Sequence, residues 1–195
     1  LGEDGDVSIL DAPLIDAIVE HVWRVPAPGV RLVAMDGPSG SGKSTLAVPL
    51  AARLAAPLIP IDDFVSWSDF SGWWPRLEDQ VLAPLSAGQD AVYQRRDWVN
   101  DEFGSGLSAW RTVSWSPVVV IEGVTSTRAA VSDRLACRVW VDAPADVRLR
   151  RGLARDGQTH RELWERWMRE ETSFFEDDHT LERADFVVSG TRCLE

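Results

Sequence analysis

Val30-Arg31-Leu32-Val33-Ala34-Met35-Asp36-Gly37-Pro38-Ser39-Gly40-Ser41-Gly42-Lys43-Ser44-Thr45 runs a compact apolar stretch into a glycine- and serine-rich loop. Gly37 to Thr45 meets the pattern G-x-x-x-x-G-K-[ST] at every fixed position. The chemistry explains the residue types. Glycines let the backbone curl until successive N–H groups point inward at a phosphate, and the helix that follows adds its free N–H groups and positive end. Gly37, Ser39, Gly40, Ser41, Gly42, Lys43, Ser44 and Thr45 are therefore expected to hold nucleotide phosphates. Lys43 would bridge the β- and γ-phosphates and Ser44 would offer its hydroxyl to Mg²⁺. Of the 20 basic residues 19 are arginine, and the single lysine is Lys43. A compact, three-donor ammonium is what such a loop needs, and arginine cannot replace it there.

Working outward, Val30–Met35 is read as a buried strand and Ser44–Ala55 as a helix distorted near Pro49. Upstream, Asp11–Trp23 has the spacing of an amphipathic helix, stopped by Pro26, Pro28 and Gly29. Downstream, Leu58–Ile61, Val118–Ile121, Ala136–Val141 and Phe186–Val188 are further strands. Arg76–Ala87, Ala145–Arg155 and His160–Phe174 are further helices, the first disturbed near its end by Pro84. Gln89–Val113 shows weak periodicity and reads mostly as loop. Strands alternating with helices imply an α/β domain, a parallel sheet covered on both faces. Ligands of such sheets gather at the carboxyl ends of strands, where Asp36, Asp62 and Glu122 each follow an apolar run.

Those acids suit phosphoryl transfer. A hydroxyl under phosphorylation loses its proton, so Asp62 is the candidate general base, with a turn or cap as its alternative. Asp63 would touch the acceptor or metal-bound water, or cap the next segment. Glu122, with Gly123 allowing a tight turn, would reach Mg²⁺ beside Ser44. Arg148, Arg150, Arg151 and Arg155 cluster in an acidic chain. They read either as a lid whose guanidinium groups meet the transferring phosphoryl group, or as a solvated helix pairing with Asp146 and Asp156. Arg161, Arg166 and Arg169 alternate with Glu162, Glu165, Glu170 and Glu171, as surface ion pairs do. Ten tryptophans are unusual for 195 residues. Trp67 and Trp98 would stack an acceptor or pack a small subdomain, and Arg96 and Asp97 would read its hydroxyls. Trp140, Trp164 and Trp167 read as core. His21, His160 and His179 are scattered without zinc spacing.

Composition narrows the class. A length of 195 residues with 45% hydrophobic residues and a mean hydropathy of -0.14 suits one globular domain spanning 1–195. No apolar run is long enough to span a membrane, and the leading LGEDGDVSILDAP lacks the pattern of a secretory signal. A net charge of -11 repels nucleic acid and anionic membrane. Cys137 and Cys193 form no metal pattern and fit a reducing cytoplasm. No guanine-reading or transporter motif accompanies the loop.

Together these residues resemble the uridine kinase family of P-loop kinases, whose relatives phosphorylate nicotinamide riboside and pantothenate. The resemblance runs from about Val30 to Val188. It rests on Gly37–Thr45, Asp62-Asp63-Phe64, Ile121-Glu122-Gly123, and Arg148-Leu149-Arg150-Arg151 with Arg155-Asp156. It implies a P-loop NTPase α/β/α fold with a five-stranded parallel sheet in the order 2-3-1-4-5. It also implies Asp62 and Lys43 as catalytic groups, Glu122 supporting Mg²⁺, and a lid over about 148–160 carrying Arg148, Arg151 and Arg155. The acceptor region, about 64–112, departs from the family. Arg96-Asp97-Trp98 stands where a tyrosine-aspartate-phenylalanine element is usual, and no histidine lies between His21 and His160. The expected activity is transfer of the γ-phosphoryl group of Mg-ATP to a hydroxyl of a small, nucleoside-like acceptor, by a monomer or homodimer. The alternatives are a nucleoside monophosphate kinase, using Arg76, Arg95 and Arg96, and a non-catalytic nucleotide-binding protein.

Overall fold

A computed structural model describes residues 12–27 and 29–191; the start of the first expected helix at Asp11, Pro28 and Cys193 lie outside the described residues. Helix α1 (Ala12–Arg24) leads into strand β1 (Arg31–Asp36), the phosphate loop, α2 (Lys43–Arg53) and β2 (Leu58–Pro60). Short helices α3 (Trp74–Leu77) and α4 (Ala83–Ser86) precede strands β3 (Ala91–Arg96) and β4 (Leu107–Val113). Then come β5 (Val118–Glu122), α5 (Ala129–Ser132), β6 (Leu135–Asp142), α6 (Ala145–Asp156), α7 (Arg161–Asp178) and β7 (Phe186–Ser189).

Five strands pair in parallel in the order β2-β5-β1-β6-β7, which is 2-3-1-4-5 when only the strands of this sheet are counted. Alternation along the central strands sorts side chains to two cores. Leu32, Ala34, Val119 and Ile121 face one cluster with Ile59, Phe64, Trp73 and Leu77. Val33, Met35, Val118 and Val120 face the other, with Ile15, Ile18 and Val22 of α1 and Leu46 and Leu50 of α2. The sheet is thus covered on both faces. No described helix is long and apolar enough to cross a membrane.

Two local readings change. Gln89–Val113 is not mostly loop, because β3 and β4 form an antiparallel hairpin pairing Ala91 with Val113 and Tyr93 with Arg111. Ala91 and Tyr93 are buried while Val92 and Arg95 are exposed. The inward side of β3 is therefore only two residues long, and the exposed face of β4 carries Trp110, which blurs the polar alternation expected of a half-buried strand. Between α3 and α4 the helix opens into a π turn over Glu78–Leu82. Pro84 supplies no N–H and its ring would clash with the Gln80 carbonyl one turn back, so the wider turn relieves the contact. Helix α2, by contrast, runs through Pro49.

Candidate active site

The phosphate loop leaves β1 at Asp36, whose carboxylate is fully buried. It accepts hydrogen bonds from the amides of Gly37 (2.7 Å), Thr125 (2.7 Å) and Thr127 (2.8 Å) and from the Thr127 hydroxyl (2.9 Å). Burial raises its pKa and those donors oppose the rise. Asp36 thereby buckles the start of the loop to the segment after β5. Gly40 has φ +77°, and a Cβ there would lie 2.6 Å from the Arg148 carbonyl, so the loop tucks under α6 only as glycine.

The Lys43 ammonium is buried and donates to the carbonyls of Gly37 (2.9 Å) and Pro38 (3.0 Å), leaving one of its three donors without a partner among the described residues. The Ser41 hydroxyl is buried with no partner among the described residues. Arg151 closes the loop from the other side, donating to the carbonyls of Gly40 (3.0 Å) and Gly190 (3.1 Å). A cavity of about 210 Å³ opens here, lined by Ser39, Gly40, Gly42, Lys43, Ser44 and Thr45 together with Asp62, Glu122, Arg151 and Arg155.

Glu122 is 8% exposed. Burial pushes its carboxyl up to about 7; nearby Asp62 adds to the rise, while Lys43 and the Ser44 hydroxyl oppose it. Gly123, at φ +144°, has no room for a Cβ, which would sit 2.4 Å from that of Ile61. That close approach brings the end of β5 against the turn carrying Asp62. Ser44 and Glu122 make a hard oxygen pair at the mouth of the phosphate cavity, a donor set that fits Mg²⁺, an ion that keeps several waters.

A second cavity, of about 380 Å³, adjoins the first and shares Ser39, Asp62 and Arg155 with it. Its walls include Trp67, Trp98, Trp164 and Trp167. The Trp98 indole N–H donates to the Asp62 carbonyl (2.7 Å), fixing that ring beside the exposed Asp62 side chain. Trp164 and Trp167 do pack in the interior, at 1% and 6% exposure, yet both also line this cavity. His160 is on the same wall, 3.4 Å from Glu102.

Three of the expected acceptor residues lie elsewhere. Asp63 is buried and binds the Tyr93 hydroxyl (2.8 Å), Arg95 (3.0 Å) and Arg111 (3.3 Å), pinning the hairpin to the sheet. Arg96 donates to the carbonyls of Phe64 (2.8 Å) and Ser105 (2.9 Å). Asp97 caps the hairpin loop through Asn100, accepting from its amide at 3.3 Å. None of the three lines either cavity. Of the lid arginines, Arg151 and Arg155 face the cavities. Arg148 instead donates to the Ala143 carbonyl (3.0 Å) and approaches Glu171 (3.5 Å). Arg150 has the solvated pairing, 3.8 Å from Asp146.

Glu171 is the residue that pattern reading missed. It is not part of the surface ion-pair series, for it is 1% exposed. Its carboxylate accepts from the Ser39 amide (2.8 Å) and the Trp167 indole N–H (2.7 Å), and burial raises its pKa. It joins the phosphate loop to the aromatic wall. The available signal was its spacing: Trp164, Trp167 and Glu171 share one helical face, so the acid sits on the apolar side of α7. Away from both cavities, His21, Cys137 and Asp185 gather closely despite their separation in sequence. Burial pushes the Cys137 thiol up to about 12, and Asp185 is already held by Arg138 (3.1 Å), which reads as packing.

The structure is similar to solved P-loop kinases. A possible uridine kinase from Bacillus stearothermophilus aligns with a TM-score of 0.63 and 22% identity over 90% of this chain and 97% of its own. D-glycerate 3-kinase from Cryptococcus neoformans var. grubii aligns with a TM-score of 0.64 and 16% identity over 88% and 90%. At these identities the likeness is one of fold. No protein-family model matches the chain, and no curated protein does.

Proposed function

We propose that the chain is a small-molecule kinase that transfers the γ-phosphoryl group of ATP to an acceptor hydroxyl, with Asp62 as general base. The observation that carries this reading is the sharing of Ser39, Asp62 and Arg155 by the phosphate cavity and the aromatic cavity. A transferase must bring donor and acceptor to one point with a proton acceptor between them. Asp62 stands at that junction.

In this mechanism the loop amides and Lys43 hold the β- and γ-phosphates, with the third donor of the ammonium available to the transferring group. Arg151 and Arg155 flank the same space and stabilise the charge that develops on the phosphoryl oxygens. Asp62 receives the acceptor's hydroxyl proton. Ser44 and Glu122 would hold Mg²⁺, which would supply neutralisation of phosphate charge. The aromatic cavity, at about 380 Å³, suits an acceptor of nucleoside size.

Two observations weigh against a nucleoside monophosphate as acceptor. Arg76, Arg95 and Arg96 do not line either cavity. Each is already engaged: Arg76 with the carbonyls of Gln94 and Asp63, Arg95 with Asp63, and Arg96 with the carbonyls of Phe64 and Ser105. A non-catalytic role finds little support, since Asp62 faces both cavities. The test is an acceptor screen with Mg-ATP across nucleosides, nucleoside monophosphates, vitamins, sugars and amino alcohols, reading ADP release. At least one uncharged or cationic alcohol should drive release that Lys43→Ala abolishes. Tight nucleotide binding with no acceptor-dependent release would reject the kinase reading.

A further inference from the structure

The chemistry of the acceptor cavity is lopsided. Its walls carry three carboxylates, from Asp62, Glu102 and Asp156, against one guanidinium, that of Arg155, and the His160 imidazole, which lies 3.4 Å from Glu102. That guanidinium is already committed. It donates to both oxygens of Asp156, at 2.7 Å and 3.0 Å. It also lies over the Trp164 ring, 5.7 Å from its centroid. Asp156 is oriented in turn by the Trp164 indole N–H at 3.0 Å. The protein's own cation thus demonstrates what this wall accepts: a positive charge on an indole face beside a carboxylate.

The shape of the wall is equally selective. Trp67 meets Trp164 at 73° and Trp167 at 78°, edge to face in both cases. Rings at such angles form a corner, whereas sandwiching a flat heterocycle needs two parallel faces. A rounded cation can be enclosed by a corner of indoles, because each negative ring face attracts it from a different direction. Trp98, 37% exposed and tied to Asp62, closes the opposite side, and Glu102 lies nearby at 65% side-chain exposure.

Resting on the kinase reading above, we infer that the acceptor is an alcohol bearing an alkylammonium group. Its hydroxyl lies at Asp62, and its cation lies among the indoles with Glu102 and Asp156. In the transfer, the hydroxyl oxygen forms a bond to the γ-phosphorus while the bond from that phosphorus to the β,γ-bridging oxygen breaks. ADP departs with the electron pair. The hydroxyl proton goes to the Asp62 carboxylate and then to solvent. Arg155 lines both cavities, so its turn toward the phosphoryl oxygens would free Asp156 and the Trp164 face for the acceptor's cation. Filling the acceptor site and arming Arg155 become one event.

The test uses the full chain with a matched pair of probes: choline and its neutral isostere 3,3-dimethylbutan-1-ol. Tryptophan fluorescence quenching reads binding. Choline should bind at least about tenfold more tightly than the isostere. Glu102→Gln should cut that ratio toward unity, and Trp98→Leu should abolish quenching by either probe. Glu102 is at the surface, so its variant keeps the test decisive should Trp98→Leu fail to fold. Equal binding of the pair, or preference for the neutral probe, overturns the inference. Mg-ATP assays of ammonium alcohols beside uridine separate the two levels. ADP release driven by uridine but by no ammonium alcohol removes the charge assignment and leaves the kinase reading standing. Release driven by no alcohol removes the kinase reading, and this inference with it.

Discussion

The phosphate cavity takes six of its lining residues from one run, Ser39 to Thr45, whereas the aromatic cavity takes only Ser39 from that run and gathers the rest from segments between Asp62 and Trp167. That run is a backbone cradle, curled by glycine and braced from behind by Asp36. The aromatic cavity is made of side chains whose positions depend on how a hairpin and two helices pack. A contiguous backbone device keeps its chemistry wherever it is placed, while a wall of side chains is rebuilt whenever its supports shift. The donor side should therefore lose function when one atom group is removed. The acceptor side should lose fold first at its supports and selectivity first at its surface.

The largest expected effect is on the donor side. Lys43→Ala removes the ammonium from the transferring group and should lower kcat/KM by about 10³-fold or more, whatever the acceptor. A loss confined to some acceptors would break the division between the two halves. On the acceptor side, Asp63→Ala should act through stability. It strands Arg95 and Arg111 and the Tyr93 hydroxyl, and should cost about 3 kcal/mol in denaturant unfolding. Turnover per folded molecule at low temperature should be retained, in contrast to changes at the neighbouring Asp62.

A smaller effect concerns pH. The Glu122 pKa rises from 4.5 to about 7 on folding, so the folded state holds that proton more tightly than the unfolded chain. The resulting stabilisation is present below about 4.5 and is lost as pH rises through about 7. Metal-free Glu122→Gln should escape that loss. It should match the wild type near pH 4 and exceed it at pH 8 by no more than about 3 kcal/mol. Thermal unfolding in the presence of a chelator checks this; a wild type more stable than the variant at pH 8 would contradict it. The smallest effect is expected at Glu171→Gln. The amide oxygen can still accept from Ser39 and Trp167 but its NH₂ now faces Arg148. A change of about 1 kcal/mol should appear in KM for ATP and for the acceptor together, since Glu171 joins both halves. Movement in only one of the two constants would show that the link does not transmit.

The same contrast explains what the amino-acid pattern revealed. The sheet and the phosphate loop were legible because apolar runs, glycines and a lysine at fixed spacing encode them locally, while the strand order came only with the family resemblance. That Asp62 and Glu122 meet at the phosphate cavity was legible because strand ends converge in a parallel sheet. Asp63, Arg96 and Asp97 also read as candidate acceptor ligands, yet around the β3–β4 hairpin all three serve as structural ties. That hairpin was hidden by its short buried side, Ala91 and Tyr93. Glu171 was hidden differently. Its neighbours alternate in charge like a solvated face, and only its register with Trp164 and Trp167 marked it as inward.

The central claim is that Asp62 serves both cavities as the proton acceptor. Nucleotide affinity and acceptor-dependent ADP release should be measured on one preparation of Asp62→Asn, beside the wild type. The account predicts ATP binding within about threefold of wild type and turnover lower by about 10²- to 10⁴-fold. Turnover at the wild-type rate in that variant would contradict it.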